Sequence, residues 1–174
     1  MRSILLMFCL SLLSFTAFSQ HEHAMHGKDH SMKMDQPDNM VQFKDANATA
    51  VYQQYLALKD ALVSSDEEAV RAAAKSLEKA LKKVKSAKEV TAPAKTVAAA
   101  SSLTQQRQAF SGLSNAITEW VKAQQIEQGQ IYLEYCPMAN ENTGAYWLAN
   151  ESEINNPYFG KMMLHCGKVT ETIH

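Results

Sequence analysis

Side chains that bind soft metal ions are concentrated in the segment QHEHAMHGKDHSMKMD, residues 20–35. This segment holds four of the six histidines and three of the nine methionines of the 174-residue chain. Imidazole nitrogen binds Cu(II) and Zn(II), whereas thioether sulfur is soft and prefers Cu(I) or Ag(I). We therefore predict a copper-binding arm, with zinc and silver as alternative ions. Its candidate ligands are His21, His23, Met25, His26, His30, Met32 and Met34. The alternative is a polar linker in which these residues are incidental.

A second group of sulfur-containing residues lies near the other end of the chain. Cys136 and Met138 flank Pro137, and His165 directly precedes Cys166. Two thiolates with a thioether or an imidazole would bind Cu(I) or Zn(II) well. A structural disulfide between Cys136 and Cys166 would instead stabilise the fold by about 3.5 kcal/mol through chain entropy. A redox-active pair is the third alternative, and the residues alone leave all three open.

The first residues are typical of an export signal. Arg2 is followed by an apolar run from Ile4 to about Phe18, which is shorter than the roughly 20 residues that span a bilayer. Small residues at Ala17 and Ser19 predict a signal peptide over residues 1–19, cleaved before Gln20. We therefore expect a periplasmic protein without membrane insertion after cleavage. In that compartment a pair of cysteines is by default a disulfide.

Charge and motifs exclude several classes of function. The formal net charge is −1, so no strong attraction to nucleic acid is expected. The chain contains no G-x-S-x-G, H-E-x-x-H or C-x-x-C pattern, and its two C-terminal cysteines are far apart in sequence. We therefore predict a binding protein and not an enzyme.

Hydrophobic patterning separates the histidine- and methionine-rich arm from a folded domain. Residues 20–44 show no apolar periodicity and predict a disordered arm, whereas residues 45–174 predict a helical domain. Apolar stripes indicate a first helix over about 47–63 and a second that a capping box opens at Ser65. After a break at Thr91-Ala92-Pro93, a third stripe predicts one long helix from Val97 to about Gln128.

The amino-acid composition of the chain changes after Gly129. The segments QIYLEYCPM and AYWLA are rich in aromatic and β-branched residues and predict a hairpin of two strands. The segment KMMLHCGKVTETI predicts a final short helix or an extended stretch. The predicted fold class is all-α: an antiparallel helical bundle with a small C-terminal β-hairpin or irregular cap. One further group of residues is expected in the core and not among the ligands: Met162, Met163, Tyr146, Trp147, Tyr158 and Phe159.

The segment EYCPMANENTGAYWLANESEINNPYFGKMMLHCGKV, with the helices before it, resembles an uncharacterised exported domain family. The resemblance covers about residues 45–173. That family occurs alone and joined to periplasmic adaptor subunits of RND-type copper/silver efflux pumps. The C-P-M triplet is also similar to the Y-x-C-P-M-H-P motif of small heavy-metal-binding domains, but this chain has Ala139-Asn140 in place of His-Pro.

The resemblance implies copper handling. It implies that Cys136, Met138 and Cys166 are metal ligands, and His165 is a further candidate. Together with the arm, it predicts a periplasmic protein that binds Cu(I), Cu(II) or silver for sequestration or delivery. The expected partner is an RND-type efflux adaptor or pump, or a cuproprotein. The alternative is a helical interaction module that docks such an adaptor and carries Cys136–Cys166 as a structural disulfide.

Overall fold

A computed structural model describes residues 40–174 of the chain. The predicted signal peptide and the candidate ligands from His21 to Met34 lie outside the described residues. Within residues 40–174, no helix combines the length and the apolar character needed to cross a membrane.

Four long helices form the first part of the described region. They are α1 (Ala46–Ser64), α2 (Glu67–Leu81), α3 (Lys88–Ala99) and α4 (Leu103–Lys122). A single turn with left-handed residues, labelled α5, lies at Ala139–Asn142, and short 3-10 turns occupy Lys85–Ala87 and Gly160–Met162. Each long helix packs against the next one in the chain. Burial of their apolar stripes in one core explains this packing, because such a stripe is stable only when another element covers it.

Aromatic side chains connect α1 to α4. The rings of Tyr55 and Phe110 stack with their centroids 5.5 Å apart. The Tyr55 hydroxyl lies 2.5 Å from Ser114 Oγ on α4, and it accepts a hydrogen bond from the backbone N–H of Leu148 at 3.0 Å. Tyr55 therefore joins the helices to the C-terminal sheet at a fully buried point.

Two small antiparallel sheets complete the fold. The first pairs β1 (Gln42–Phe43) with β2 (Ile126–Gln128). The second has the order β4-β3-β5 and contains β3 (Ile131–Cys136), β4 (Ala145–Ala149) and β5 (Lys168–Ile173).

The predicted hairpin is confirmed, because β3 and β4 pair from Tyr132 opposite Ala149 to Cys136 opposite Ala145. The helix-rich character is also confirmed. The all-α class is too simple, however, since the C-terminal segment adds a third strand to this sheet.

The predicted start of the second helix is wrong by one residue. Ser65 has a left-handed backbone (φ 61°) and ends α1, so it cannot take the extended conformation of an N-cap. Asp66 has that conformation and caps α2, since its carboxylate accepts from the N–H groups of Glu68 (3.1 Å) and Ala69 (2.9 Å).

Removal of this cap has a defined cost. We expect Asp66→Ala to lower the free energy of unfolding by about 1 kcal/mol, because two N–H groups at the start of α2 lose their acceptor. Urea denaturation checks this value, with Lys75→Ala at an exposed position of the same helix as the control. Equal midpoints for the two variants would contradict the assignment of the cap.

The single long helix predicted after Pro93 is also wrong. Pro93 lies inside α3, where its missing N–H leaves only one carbonyl of the first turn unpaired. The break comes at residues 100–102, where Ser102 caps α4 by accepting from the N–H of Gln105. Helix α4 ends at Lys122, and residues 126–128 pair with β1 as a strand. Sheet pairing across a long sequence separation thus overrides the helical pattern at this end.

Candidate sulfur-rich site

Cys136 and Cys166 meet at one edge of the second sheet. Cys136 is the last residue of β3 and is fully buried, whereas Cys166 is half-buried in the segment that leads into β5. Their Sγ atoms are 2.7 Å apart, and both residues are free cysteines. The structure therefore brings together the two cysteines that were predicted as ligands or as a disulfide.

The thiol of Cys166 has an altered acidity. The hydrogen bond with Cys136 is the main cause, and burial adds to it, so that the pKa of the Cys166 thiol rises to about 11. A thiol with this pKa is protonated at neutral pH. Reactive cysteines of thiol oxidoreductases have the opposite property, a lowered pKa.

Asn156 fixes the backbone that carries Cys166. Its Nδ2 donates to the carbonyl of Cys166 at 2.7 Å, and its Oδ1 accepts from the N–H of Tyr158 at 2.8 Å. Its own N–H donates to the carbonyl of Leu164 at 2.8 Å, and its carbonyl accepts from the N–H of Gly160 at 3.0 Å. The side chain is fully buried. Asn156 is therefore the positioning residue of the Cys166 segment. Nothing in the pattern of the segment NNPYFG indicates this role.

His165 is exposed, and its ring contacts the backbone of Ile154. Its Nδ1 lies 2.9 Å from the carbonyl oxygen of Ile154, so this nitrogen must donate and Nε2 is left as the acceptor. That tautomer suits metal binding through Nε2. Within residues 40–174, however, no three side chains of the types His, Cys, Asp and Glu come together as a metal-binding group. The structure does not gather His165 with Cys136 and Cys166 into such a group.

Met138 lies in a different place from the cysteines, together with two methionines that were expected in the core. Met138, Met162 and Met163 line one open cavity of about 440 Å³, which neither cysteine lines. We call this cavity the thioether groove. Met162 is 79% exposed and Met138 is 46% exposed.

The prediction of a core position is therefore wrong for Met162, and also for Tyr146, which is 39% exposed. It is correct for Trp147 and Tyr158, which are buried. Met162 and Tyr146 are exposed because, at the edge of a small C-terminal cap, too few other side chains pack against them.

A left-handed turn follows Met138. Asn140, Glu141 and Asn142 have φ values of 49°, 59° and 63°. Asparagine tolerates this conformation better than most residues, whereas glutamate does so at a cost of about 1–2 kcal/mol. The turn is held to α4 because Gln108 Nε2 donates to Glu141 Oε1 at 3.0 Å. Helix α4 thus positions the segment that carries Met138.

Glu134 is a buried carboxyl in the middle of β3. Neither of its oxygens has a hydrogen-bond partner among the residues that the structure describes. Burial raises the pKa of this carboxyl to about 8, although the positive charge of Lys59 offsets part of the shift. The sequence signal for this group is a single charged residue inside the apolar strand sequence IYLEYC.

Comparison with known proteins identifies one family within the chain. Residues 51–129 match a family described as "Protein of unknown function (DUF3347)". The match begins inside α1, continues through α2, α3, α4 and β2, and ends before β3. It is therefore shorter than the expected resemblance over residues 45–173. No curated protein and no solved structure matches the chain.

Proposed function

We propose that the protein is a periplasmic copper-binding protein that sequesters or delivers Cu(I) or Cu(II), and silver as a related ion, in heavy-metal homeostasis. The observation that carries this proposal is the meeting of two sulfur-containing segments, residues 136–138 and 162–166. Cys136 of the first segment faces Cys166 of the second, and Met138 lines one cavity together with Met162 and Met163.

The donor types agree with copper. Thiolate and thioether sulfur select Cu(I), while the histidines of the arm suit Cu(II) as well. Thioethers need no deprotonation and cannot form disulfides, so they remain ligands in an oxidising compartment. The arm, with His21, His23, Met25, His26, His30, Met32 and Met34, would capture ions. Exchange of ligands would then pass them to the folded domain.

The cysteine pair supports this function only if Cys166 can move. Metal–sulfur bonds of about 2.3 Å in tetrahedral geometry place two sulfurs about 3.7 Å apart. The observed 2.7 Å would therefore have to widen by about 1 Å, given those bond lengths. Cys166 is the member that can rotate outward, because it is half-buried while Cys136 is enclosed.

The partner we propose is an adaptor or pump of the RND type, or a cuproprotein that receives the ion. This follows from the resemblance to a domain family joined to such adaptors. The match at residues 51–129 is to a family of unknown function and is consistent with that resemblance.

A second function is favoured by the distance between the cysteines. At 2.7 Å the two sulfurs are closer than two ligands of one metal ion would be, and Cys136 is shielded from solvent. These features fit a structural disulfide in a helical module that docks an efflux adaptor.

Thiol counting and copper titration separate the two functions. In the mature protein, denatured without reductant after metal removal, we expect two free thiols. We also expect the Cys136→Ser/Cys166→Ser variant to bind Cu(I) at least tenfold more weakly than the wild type, a loss of about 1.4 kcal/mol. Competition with a Cu(I) chelator measures the affinity.

Two further variants define the contribution of each region. Replacement of the seven arm ligands in the full chain tests capture by the arm, and Ser86→Ala at a site remote from the sulfur residues is the control. A thiol count of zero, with equal Cu(I) affinity in the cysteine variant, would favour the structural disulfide.

A further inference from the structure

We propose that the thioether groove is a binding site for one Cu(I) or Ag(I) ion, held by the sulfur atoms of Met138, Met162 and Met163 and separate from the cysteine pair. This inference rests on the proposed copper function and names a site for it. The three methionines come from two segments that are distant in sequence, and they line a single cavity.

The placement of these methionines is unusual for their type. Methionine is among the residues most often fully buried. Residues 40–174 contain four methionines, and three of them line this one groove. Met162 is 79% exposed, so its sulfur is open to an incoming ion. Burial of apolar surface does not explain why three thioethers should collect at an open cavity.

The backbone beneath the sulfur atoms is held in place. Met138 follows Pro137, whose ring fixes φ, and precedes the left-handed turn that Gln108 ties to α4. Met162 lies in the 3-10 turn Gly160–Met162, whose first residue donates its N–H to the carbonyl of Asn156 at 3.0 Å. Methionine has three rotatable bonds, so the sulfur atoms can converge on an ion while the backbone stays fixed.

The charges around the groove suit a monovalent soft cation. Arg107 and Glu141 both line it, and their opposite charges largely cancel. The Arg107 guanidinium is occupied by the carbonyls of Pro157 (3.0 Å) and Leu62 (3.1 Å). A single carboxylate is too little for Ca²⁺ or Mg²⁺, which take mainly oxygen ligands.

An apolar peptide is the competing occupant, since methionine-rich surfaces also bind peptides. We favour an ion, because three thioether sulfurs at one cavity supply the soft donors that Cu(I) and Ag(I) prefer, and six polar or charged residues line the same cavity. These residues are Thr104, Arg107, Gln108, Asn140, Glu141 and Asn142.

Methyl NMR of the full mature chain tests the site. With ¹³C-methyl methionine, titration with Ag(I), which is redox-inert, reports each methionine separately. We expect the methyl signals of Met138, Met162 and Met163 to shift together and to follow one common binding curve. Met40, which lies at a different cavity, should not follow them. The shifts should persist in the Cys136→Ser/Cys166→Ser variant, which removes the thiols but keeps the groove.

Conservative variants complete the test. Met138→Leu keeps the volume and removes one sulfur, and it should weaken the response of Met162 and Met163 at least tenfold, whereas Met40→Leu should leave it unchanged. If the arm or the cysteines bind Ag(I) while the three groove signals stay fixed, the groove site is refuted and the copper function survives. If no methionine, cysteine or histidine responds to Ag(I) or Cu(I), both proposals fail. If an added apolar peptide shifts the three groove signals and Ag(I) does not, the groove binds a peptide and the ion site is refuted.

Discussion

Glu134→Gln should raise the free energy of unfolding by about 3 kcal/mol at pH 7, because it removes an ionisable group from a site where the charge cannot be solvated. The carboxyl is fully buried in β3, and its oxygens have no hydrogen-bond partner within residues 40–174. Burial raises its pKa from the usual 4.5 to about 8. In the unfolded chain the same carboxyl ionises freely.

The direction of the pH dependence follows from this shift. Between pH 4.5 and about 8 the folded state keeps a proton that the unfolded state has released. Stability from this group is therefore fully present below pH 4.5 and is lost as the pH rises towards 8, with a slope of up to about 1.4 kcal/mol per pH unit.

Urea titrations at several pH values measure this effect as the difference between the wild type and Glu134→Gln. The control is Glu127→Gln at an exposed position of β2. The difference should grow from pH 5 to pH 8 for Glu134 and stay flat for Glu127. A flat difference for Glu134 would mean that the carboxyl is solvated or paired in solution.

Asn156→Ala should lower the free energy of unfolding by about 2–4 kcal/mol. The substitution removes the donor to the Cys166 carbonyl and the acceptor for the Tyr158 N–H, and it leaves both backbone groups without that partner. An unsatisfied buried polar group costs about 1–3 kcal/mol. Asn155→Ala is the matched control, because that neighbouring side chain is only half-buried and lines another cavity.

A second measurement separates the positioning role of Asn156 from general stability. Since Asn156 holds the backbone of Cys166, its loss should release that cysteine from Cys136. We expect faster alkylation of Cys166 and slower oxidative pairing of the two thiols, under conditions where the variant is still folded. Asn156→Asp keeps an acceptor for Tyr158 and loses the donor to Cys166, so it should reproduce the change in thiol chemistry, and burial of its carboxylate should lower the stability at least as much as Asn156→Ala. Unchanged alkylation in both variants would remove Asn156 from this role.

Local patterns in the sequence were enough to predict much of the described region. The stripe through Val51, Tyr55, Leu58 and Leu62 predicted α1 nearly to its ends, and the two aromatic segments predicted the β3–β4 hairpin. These elements depend on periodicity and on contacts close in sequence, so their signal lies within a short window. The boundaries at Ser65 and Pro93 were wrong because caps and breaks depend on the backbone conformation of single residues.

The sequence by itself determined the chemical types of the proposed ligands: imidazoles and thioethers in the arm, and cysteine and methionine in the C-terminal cap. Only the tertiary structure decided which of the candidate ligands in the cap lie close together. It pairs Cys136 with Cys166, places Met138 with Met162 and Met163, and leaves His165 apart. It also buries Glu134, which strand alternation alone does not require. These contacts join segments that are distant in sequence, so local sequence patterns do not determine them. Which side chains meet depends on how helix α4, the sheet and the Asn156 segment pack together.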